Sequence, residues 1–163
     1  MTQKIDDEKF LRRSFDVARR SQRHGNHPFG AILVSAAGNV LLESENGFLP
    51  DRDGTAHAER LLATLSCRQL SLEVRANTTL YSSAEPCAMC AGAIYWAGIG
   101  RLVYGLSERY LRAITGDHPE NPTLDLPCRA VFAAGQRAVE VIGPLLEDEA
   151  AAIHDGAWHN QAG

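Results

Sequence analysis

Two short stretches of this chain are its most informative feature: Thr55-Ala56-His57-Ala58-Glu59 and, about thirty residues later, Glu85-Pro86-Cys87-Ala88-Met89-Cys90. Together they supply one imidazole and two thiols, from His57, Cys87 and Cys90. A structural zinc site is closed by four protein ligands, whereas a catalytic site keeps three and leaves one position open. Nitrogen and sulfur ligands suit zinc, while magnesium and calcium prefer oxygen. The two stretches therefore predict a catalytic zinc site.

Glu59 is a carboxylic acid close to this predicted site. Water bound to zinc can have its pKa brought from about 15.7 to roughly 7, and a base must then take the proton. On a regular helix Glu59 would lie about 200° around the axis from His57, at roughly 100° per residue. We therefore expect Glu59 to serve the water as a base and not to bind the metal.

Cysteine pairs of this spacing also have other uses. Cys87 and Cys90 alone would fit a redox pair or half of a structural zinc site, and the upstream histidine motif disfavours both. Cys67 and Cys128 could in principle complete a four-ligand structural site. Free cysteine commonly packs as a small buried hydrophobe, so we expect core packing for these two.

The composition is that of one globular domain covering residues 1–163. A chain of this length buries roughly 70% of its unfolded-chain surface, and 45% hydrophobic with 22% charged residues is ordinary for such a domain. Residues 1–8 are polar and acidic, so neither a secretory signal nor a transit peptide is expected. No apolar run reaches the ~20 residues of a membrane span. Because thiolate ligands must stay reduced, a cytoplasmic protein is expected.

The charge of the chain bears on the kind of partner. The net charge is −4 and the pI is near 5.8, whereas a protein that grips folded RNA usually carries a basic face. Basic residues are grouped only near the start of the chain, at Arg12, Arg13, Arg19, Arg20 and Arg23. We interpret this group as the solvated face of a helix, and nucleic acid is not favoured as a partner.

Hydrophobic periodicity predicts alternating helices and strands. Helices are expected over 6–20 and 55–65, from Pro86 and from Pro144, and strands over 31–34, 40–42, 78–82, 101–105 and 139–142. This alternation indicates a three-layer α/β/α domain. Both metal-binding segments would then begin helices, where backbone amides favour anionic thiolates. The polar residues 116–127 predict an exposed connection, of a kind that often carries function.

The sequences His57-Ala58-Glu59 and Pro86-Cys87-Ala88-Met89-Cys90 match the signature of the zinc deaminases. From about Phe10 to Val141 the chain resembles the cytidine deaminase-like superfamily, in the branch of bacterial guanine deaminases and tRNA adenosine deaminases. The resemblance implies an α/β fold, a three-layer α/β/α sandwich with a central mixed five-stranded sheet. It also implies one Zn²⁺ per subunit and hydrolytic deamination, with Glu59 moving protons.

The resemblance also suggests which residues hold the substrate. Phe29, in a segment like one wall of the base pocket of this branch, could stack on a heterocycle, and Asn46 matches an asparagine that reads the base edge. The segment 91–97 resembles guanine deaminases, whose tryptophan, here Trp96, lines the purine pocket. Core packing for the aromatic residues and a turn for the asparagine remain as alternatives. Trp96 favours a free amino-purine, with guanine to xanthine plus ammonia as the expected reaction.

Two further expectations rest on the resemblance. Guanine deaminases use a second acid from a loop between the fourth and fifth strands, for which Asp117 is the first candidate and Glu120 and Asp125 follow; all three could instead be solvated loop acids. Some of these enzymes form domain-swapped homodimers whose C-terminal aromatic residues close the partner's pocket. Residues 158–160 could form such a lid, or Trp158 could anchor the last helix. A homodimer is expected from the resemblance alone.

Three alternatives stay open. A tRNA adenosine deaminase is the nearest, and the acidic pI disfavours it. Deaminases of cytosine, nucleosides, pterins or triazines share every core residue named above. A non-enzymatic binding module with structural zinc would also contain the three metal-binding residues.

Overall fold

The computed structural model describes residues 4–158. Its strands are β1 (Gly30–Val34), β2 (Val40–Glu45), β3 (Thr79–Ala84), β4 (Arg101–Leu106) and β5 (Glu140–Ile142). They form one sheet in the order β2-β1-β3-β4-β5. β1 is antiparallel to β2 and β3, whereas β3, β4 and β5 are parallel to one another. The predicted mixed five-stranded sheet is confirmed.

Helices cover both faces of this sheet. They are α1 (Asp7–Arg23), α2 (Ala58–Gln69), α3 (Leu72–Ala76), α4 (Ala88–Ala97), α5 (Glu108–Thr115), α6 (Cys128–Ala133) and α7 (Glu147–Ala152). Alternate residues of β1 divide between two cores: Ile32 and Val34 pack with α1 and α7, while Ala31 and Leu33 pack with α2, α4 and α6. Because successive strand residues point to opposite faces, a strand buried on both sides needs a continuous apolar run. The three-layer α/β/α architecture is confirmed.

The direction of the strands brings distant segments to one edge of the sheet. β3 and β4 are parallel and end together, with Ala84 opposite Leu106. β1 is antiparallel to β3, so it begins at this edge, and β2 ends there, with Gly30 opposite Glu45. The residues that precede β1 and follow β2, β3 and β4 therefore lie near one another.

Gly30 allows α1 to pack closely on the start of β1. A Cβ atom at this position would lie 2.5 Å from the backbone nitrogen of Ala18 and 2.8 Å from the carbonyl oxygen of Ser14. Its amide donates a hydrogen bond to Ser83 Oγ, at 3.1 Å. These contacts hold the segment just before β1 against the sheet.

The sequence prediction missed α3, α5 and α6, which have 5, 8 and 6 residues. Helices this short span too few turns for a periodic apolar pattern to be distinct. The last helix is also shorter than expected, ending at Ala152.

Cys128 is buried as predicted, but Cys67 is exposed, so its prediction as a core residue was wrong. Among residues 4–158, no helix is long and apolar enough to cross a membrane.

Four of the five arginines of α1 form ion pairs with neighbouring acids. Arg12 contacts Glu8 and Glu149, and Arg20 contacts Glu43 and Glu45. The guanidinium groups of Arg13 and Arg19 pair with Glu43 and Asp16. Because these carboxylates neutralise the helix, it does not present a row of free cations to phosphates. The interpretation as a solvated face agrees with these contacts.

Asp7 anchors α1 to the sheet. Its carboxylate accepts hydrogen bonds from both terminal nitrogens of Arg101, at 2.7 and 2.8 Å, and from Tyr81 Oη at 2.7 Å. The hydrogen bonds from Arg101, opposed by burial, hold the pKa of Asp7 below its usual value. Stabilisation by a carboxylate of this kind is full above the ordinary pKa and is lost as the pH falls through the lowered one.

We expect Asp7→Asn to reduce the free energy of unfolding by about 1–2 kcal/mol at pH 7, because a partly exposed ion pair is lost. The difference from the wild type should shrink as the pH falls below about 4. Urea unfolding between pH 7 and pH 3 measures both effects. Asp16→Asn is the control, since its side chain is 77% exposed and, within residues 4–158, forms a hydrogen bond and ion pair only with Arg19. A difference independent of pH would contradict the role given to the Asp7 carboxylate.

Candidate active site

The three predicted metal-binding residues come together at the N-termini of two helices. His57 is the N-cap of α2 and Cys87 is the N-cap of α4, with Cys90 in the first turn of α4. Nδ1 of His57 lies 3.6 Å from Sγ of Cys87 and 3.5 Å from Sγ of Cys90. Within residues 4–158, these three form the only group of His, Cys, Asp and Glu ligand atoms close enough to hold a metal ion.

The arrangement fits tetrahedral zinc. Zinc–sulfur bonds of about 2.3 Å and zinc–nitrogen bonds of about 2.0–2.1 Å at tetrahedral angles place sulfur and nitrogen roughly 3.6 Å apart. The separations of His57 Nδ1 from the sulfurs of Cys87 and Cys90 match this value. With three protein donors, one coordination position is left for a further ligand, as in catalytic sites.

The electrostatics favour a cation among these ligands. Hydrogen bonds from Cys90 and His57 lower the pKa of Cys87 to about 4, against the effect of burial, whereas the hydrogen bond to Cys87 and burial raise the pKa of Cys90. Both cysteines also lie at the start of α4, where backbone amides and the helix dipole stabilise negative charge. A bound zinc ion would offset the charge of both thiolates.

Glu59 lies beside the metal ligands and is only 4% exposed. Ser82 Oγ lies 2.7 Å from Glu59 Oε1 and 2.6 Å from the carbonyl oxygen of Ala84, so its single proton can be donated to either. Burial raises the pKa of Glu59. Glu59 is not a member of the group formed by His57, Cys87 and Cys90. The 200° argument was nevertheless wrong, because His57 precedes the helix with extended backbone angles.

A cavity of about 560 Å³ opens beside the metal ligands. Five carboxylic acids line it, namely Asp53, Glu59, Glu85, Glu108 and Glu120. Among the described residues that line it there is no lysine or arginine. The remaining wall is largely apolar, which suits a small planar molecule with few charges.

Two of the predicted substrate-binding residues, Phe29 and Asn46, line this cavity. They lie at the edge where β1 begins and β2 ends, and the backbone nitrogen of Asn46 donates a hydrogen bond to the backbone carbonyl oxygen of Phe29 at 3.2 Å. Oδ1 of Asn46 accepts a hydrogen bond from the backbone nitrogen of Phe48, at 2.9 Å. The NH₂ group of the Asn46 side chain is left as a donor for a ligand.

The structure does not bring two other predicted residues to the cavity. Trp96 lies on the outer side of α4 and is 79% exposed. The helical period explains this, because Ile94 and Ala97 turn inward and leave Trp96 outside. Asp117 is exposed and does not line the cavity, whereas Glu120, the second candidate from the same loop, does.

Asp125, the third candidate acid, lies outside the cavity lining as well. Its carboxylate lies 4.0 Å from Arg109 and 3.8 Å from Arg112, in exposed ion pairs. The solvated-loop interpretation fits Asp125. Among the three candidates, only Glu120 is placed where it could meet a ligand.

An aromatic cluster forms one rim of the cavity. The ring of Trp158 stacks on His27, with centroids 4.2 Å apart, and its Nε1 donates to Nδ1 of His154 at 2.9 Å. His27 Nε2 lies 2.6 Å from Glu120 Oε2. Trp158 therefore packs within its own chain against residues that line the cavity. The other residues of the expected lid, 159–160, lie outside the described part of the chain.

Sequence reasoning assigned no role to the side chains of Ser82, Glu85 and Glu108. Glu85 is buried and accepts hydrogen bonds from the backbone nitrogens of Glu108, at 3.1 Å, and Cys128, at 2.9 Å. It thus joins the end of β3 to the starts of α5 and α6. Glu108 lines the cavity. Burial and, to a smaller extent, the negative charges of neighbouring groups raise the pKa of Glu108 to about 7. The sequence did contain a signal for Glu85 and Glu108, because polar residues directly after two parallel strands lie at the same edge of the sheet and can form a site there.

Comparison with known proteins agrees with the fold and the metal site. Residues 4–106 match the cytidine and deoxycytidylate deaminase zinc-binding region. The chain belongs to this family of zinc-binding deaminases.

Relatives within the family differ in substrate. A probable cytosine deaminase of Schizosaccharomyces pombe is 40% identical over 153 residues, which cover 93% of this chain and 92% of the relative. A tRNA-specific adenosine deaminase of Haemophilus influenzae is 36% identical and covers 74% of this chain and 73% of its own length. The structure of a guanine deaminase from Nitrosomonas europaea superposes with a TM-score of 0.77 at 26% identity, covering 94% of this chain and 85% of that protein.

Proposed function

We propose that this protein is a hydrolytic deaminase of a free nucleobase. The observation that carries the proposal is the cavity beside His57 and Cys87, which is lined by five acids and, among the described residues, by no lysine or arginine. A nucleotide or an RNA would bring phosphates, which proteins bind mainly with cationic side chains and helix N-termini. A neutral base with several N–H groups is the better match to carboxylates and an asparagine amide.

The residues around the cavity suggest a division of work. Zinc, held by His57, Cys87 and Cys90, would supply Lewis acidity that lets a water molecule lose its proton near neutral pH. Glu59 takes that proton and passes it to the ring nitrogen as the remaining hydroxyl adds to the carbon that carries the amine. Glu59 then takes the proton of the added hydroxyl and passes it to the amine, so that the C–N bond breaks, ammonia leaves and a carbonyl group forms. Ser82 holds the Glu59 carboxylate through a 2.7 Å hydrogen bond.

Other residues hold the base in place. Phe29 offers an aromatic face for stacking, and the Asn46 amide offers a hydrogen bond to a carbonyl oxygen or ring nitrogen of the base. His27, Glu120 and Trp158 form a rim beside the bound base, in which His27 pairs with Glu120 and stacks on Trp158.

Cytosine is the first candidate substrate. The Schizosaccharomyces pombe relative named as a probable cytosine deaminase shares 40% identity along nearly the whole of both chains. The sequence-based preference for guanine depended on Trp96 together with Asn46 and an acid after Gly116, and Trp96 lies outside the cavity. That residue therefore gives no support to a purine pocket within one chain.

Guanine is the second candidate. It is favoured by the superposition on a guanine deaminase along 94% of this chain, with a TM-score of 0.77. Glu120 also lies in the cavity, as one of the acids considered for a second proton-transfer role. A cavity of about 560 Å³ has room for either base.

The proposal is tested by measuring ammonia release from cytosine, guanine, adenine, cytidine, guanosine and an anticodon stem-loop RNA. We expect release from a free base, with cytosine turned over most efficiently, and little from the nucleosides or RNA. Because the cavity offers no cationic side chain to phosphates, the RNA should not compete with the base. Activity confined to the RNA would refute the proposal and favour the tRNA enzymes as the functional relatives.

A further inference from the structure

Within the part of the chain that the structure describes, Glu108 differs from the other acids of the cavity because its carboxyl group has no hydrogen-bond or ion-pair partner. Asp53 Oδ1 accepts from the backbone nitrogen and the hydroxyl of Thr55, at 2.8 and 2.7 Å. Glu120 is paired with His27 at 2.6 Å. These two carboxylates are occupied by neighbouring side chains or backbone, so neither is free to bind a ligand without giving up a contact.

Two further acids of the cavity also have partners: Glu59, beside the metal ligands, and Glu85, directly after β3. Glu59 meets the hydroxyl of Ser82 at 2.7 Å. Glu85 uses one oxygen for the backbone nitrogen of Glu108 and the other for that of Cys128. The backbone nitrogen of Glu108 donates a hydrogen bond to the Glu85 carboxylate. This bond fixes the start of α5 and thereby holds the Glu108 side chain at the cavity wall.

No hydrogen bond or ion pair within residues 4–158 involves the Glu108 carboxyl group, although it is half-buried at the cavity wall. The histidines that line the same cavity do not supply one, since His57 belongs to the metal ligands and His27 is paired with Glu120. A carboxyl group at the cavity wall that no protein group occupies is free to accept hydrogen bonds from a ligand. The donors that a nucleobase brings are its N–H groups.

We propose that Glu108 is a specificity-determining residue that accepts a hydrogen bond from one ring N–H of the base. This N–H is on the nitrogen that is bonded to the sugar in the corresponding nucleoside. The inference rests on the proposed function, deamination of a free base. The exocyclic amine of the substrate must lie at the zinc ligands and Glu59, where it is removed. The ring N–H is the remaining donor shared by cytosine and guanine that their nucleosides lack. A carboxylate paired with that N–H would select bases over nucleosides, because a substituted nitrogen leaves it without a partner.

Glu108 also has a possible role in the fold alone. It occupies the first turn of α5, where a carboxylate is stabilised by the helix dipole. Loss of that interaction would lower stability and would reduce activity on every substrate to the same extent. The two roles therefore differ in how the effect of a substitution depends on the substrate.

The experiment compares kcat/KM for a free base with that for the derivative methylated at the sugar-bearing nitrogen, 1-methylcytosine or 9-methylguanine. For the base, Glu108→Leu should lower kcat/KM by about 10- to 100-fold, the value of a hydrogen bond to a charged group. Glu108→Gln keeps one neutral acceptor and should fall between wild type and Glu108→Leu. For the methylated derivative, both variants should change kcat/KM by less than about threefold.

The ratio of the two kcat/KM values is measured on one preparation, so partial unfolding or incomplete zinc loading cancels. Glu73→Leu is the matched control, since Glu73 stands in the first turn of α3, is exposed and does not line the cavity. An equal loss on base and derivative, or no loss on the base, would overturn the role of Glu108 and leave the proposed function intact. Failure of the wild type to deaminate any free base would instead overturn the proposed function, and this inference with it.

Discussion

Replacing Glu59 by glutamine should lower kcat by about 10²- to 10⁴-fold on the base that the wild type deaminates, because a positioned general acid and base is lost. Glutamine has nearly the same shape and can still accept the hydrogen bond from Ser82. Burial already raises the pKa of Glu59, so a neutral group costs little there and the unfolding temperature should not fall. Ammonia release at saturating base measures the effect.

The zinc content of the Glu59→Gln variant distinguishes two roles for this residue. Glu59 lies outside the group formed by His57, Cys87 and Cys90, so the variant should retain one zinc per chain. Glu73→Gln makes the same chemical change on the exposed face of α3 and should leave kcat unchanged. Wild-type turnover by the Glu59→Gln variant would show that another group moves the protons, and loss of zinc would show that Glu59 helps to bind the metal.

Removing the metal should have an effect of similar size. Metal ions contribute several kcal/mol of transition-state stabilisation, so dialysis against a chelator should lower kcat by roughly 10³-fold or more. Cys87→Ser should do the same and should reduce the zinc content, because a serine hydroxyl is a poor substitute for a thiolate ligand. Elemental analysis and ammonia release on the same samples give both quantities.

The exposed cysteine of α2 provides the matched control for the zinc experiment. Cys67→Ser changes the same atom far from the metal ligands and should keep one zinc per chain and full activity. Far-UV circular dichroism of the chelated protein then separates catalytic from structural zinc. A fold that persists while activity is lost and returns with added zinc agrees with a catalytic site. Unfolding on chelation would favour the structural alternative.

The sequence predicted the metal ligands because their spacing is local. Cys87 and Cys90 share one helical turn, and His57 belongs to a motif that can be read within five residues. The alternation of helices and strands likewise predicted the layers, since each strand and long helix has its own periodicity. Local pattern failed for Cys67, which was predicted to pack in the core but is exposed near the end of α2.

The substrate-binding residues could not be predicted equally well. Trp96 was chosen for its resemblance to other deaminases, but the period of α4 turns it outward. Asp117 and Glu120 belong to the same loop, and only the path of that loop decides that Glu120 meets His27. The expected homodimer, the cytoplasmic location and the extent of the single domain stay predictions.

The sequence by itself indicated zinc, the three residues that can hold it and the acid beside them, because the chemistry of zinc restricts residue type and the spacing is short. The tertiary structure decided which side chains form the cavity. Phe29, Asn46, Glu85 and Glu108 come from four segments that meet only because β1 and β2 are antiparallel while β3 and β4 are parallel. Strand direction is a property of the whole sheet, so no local pattern contains it.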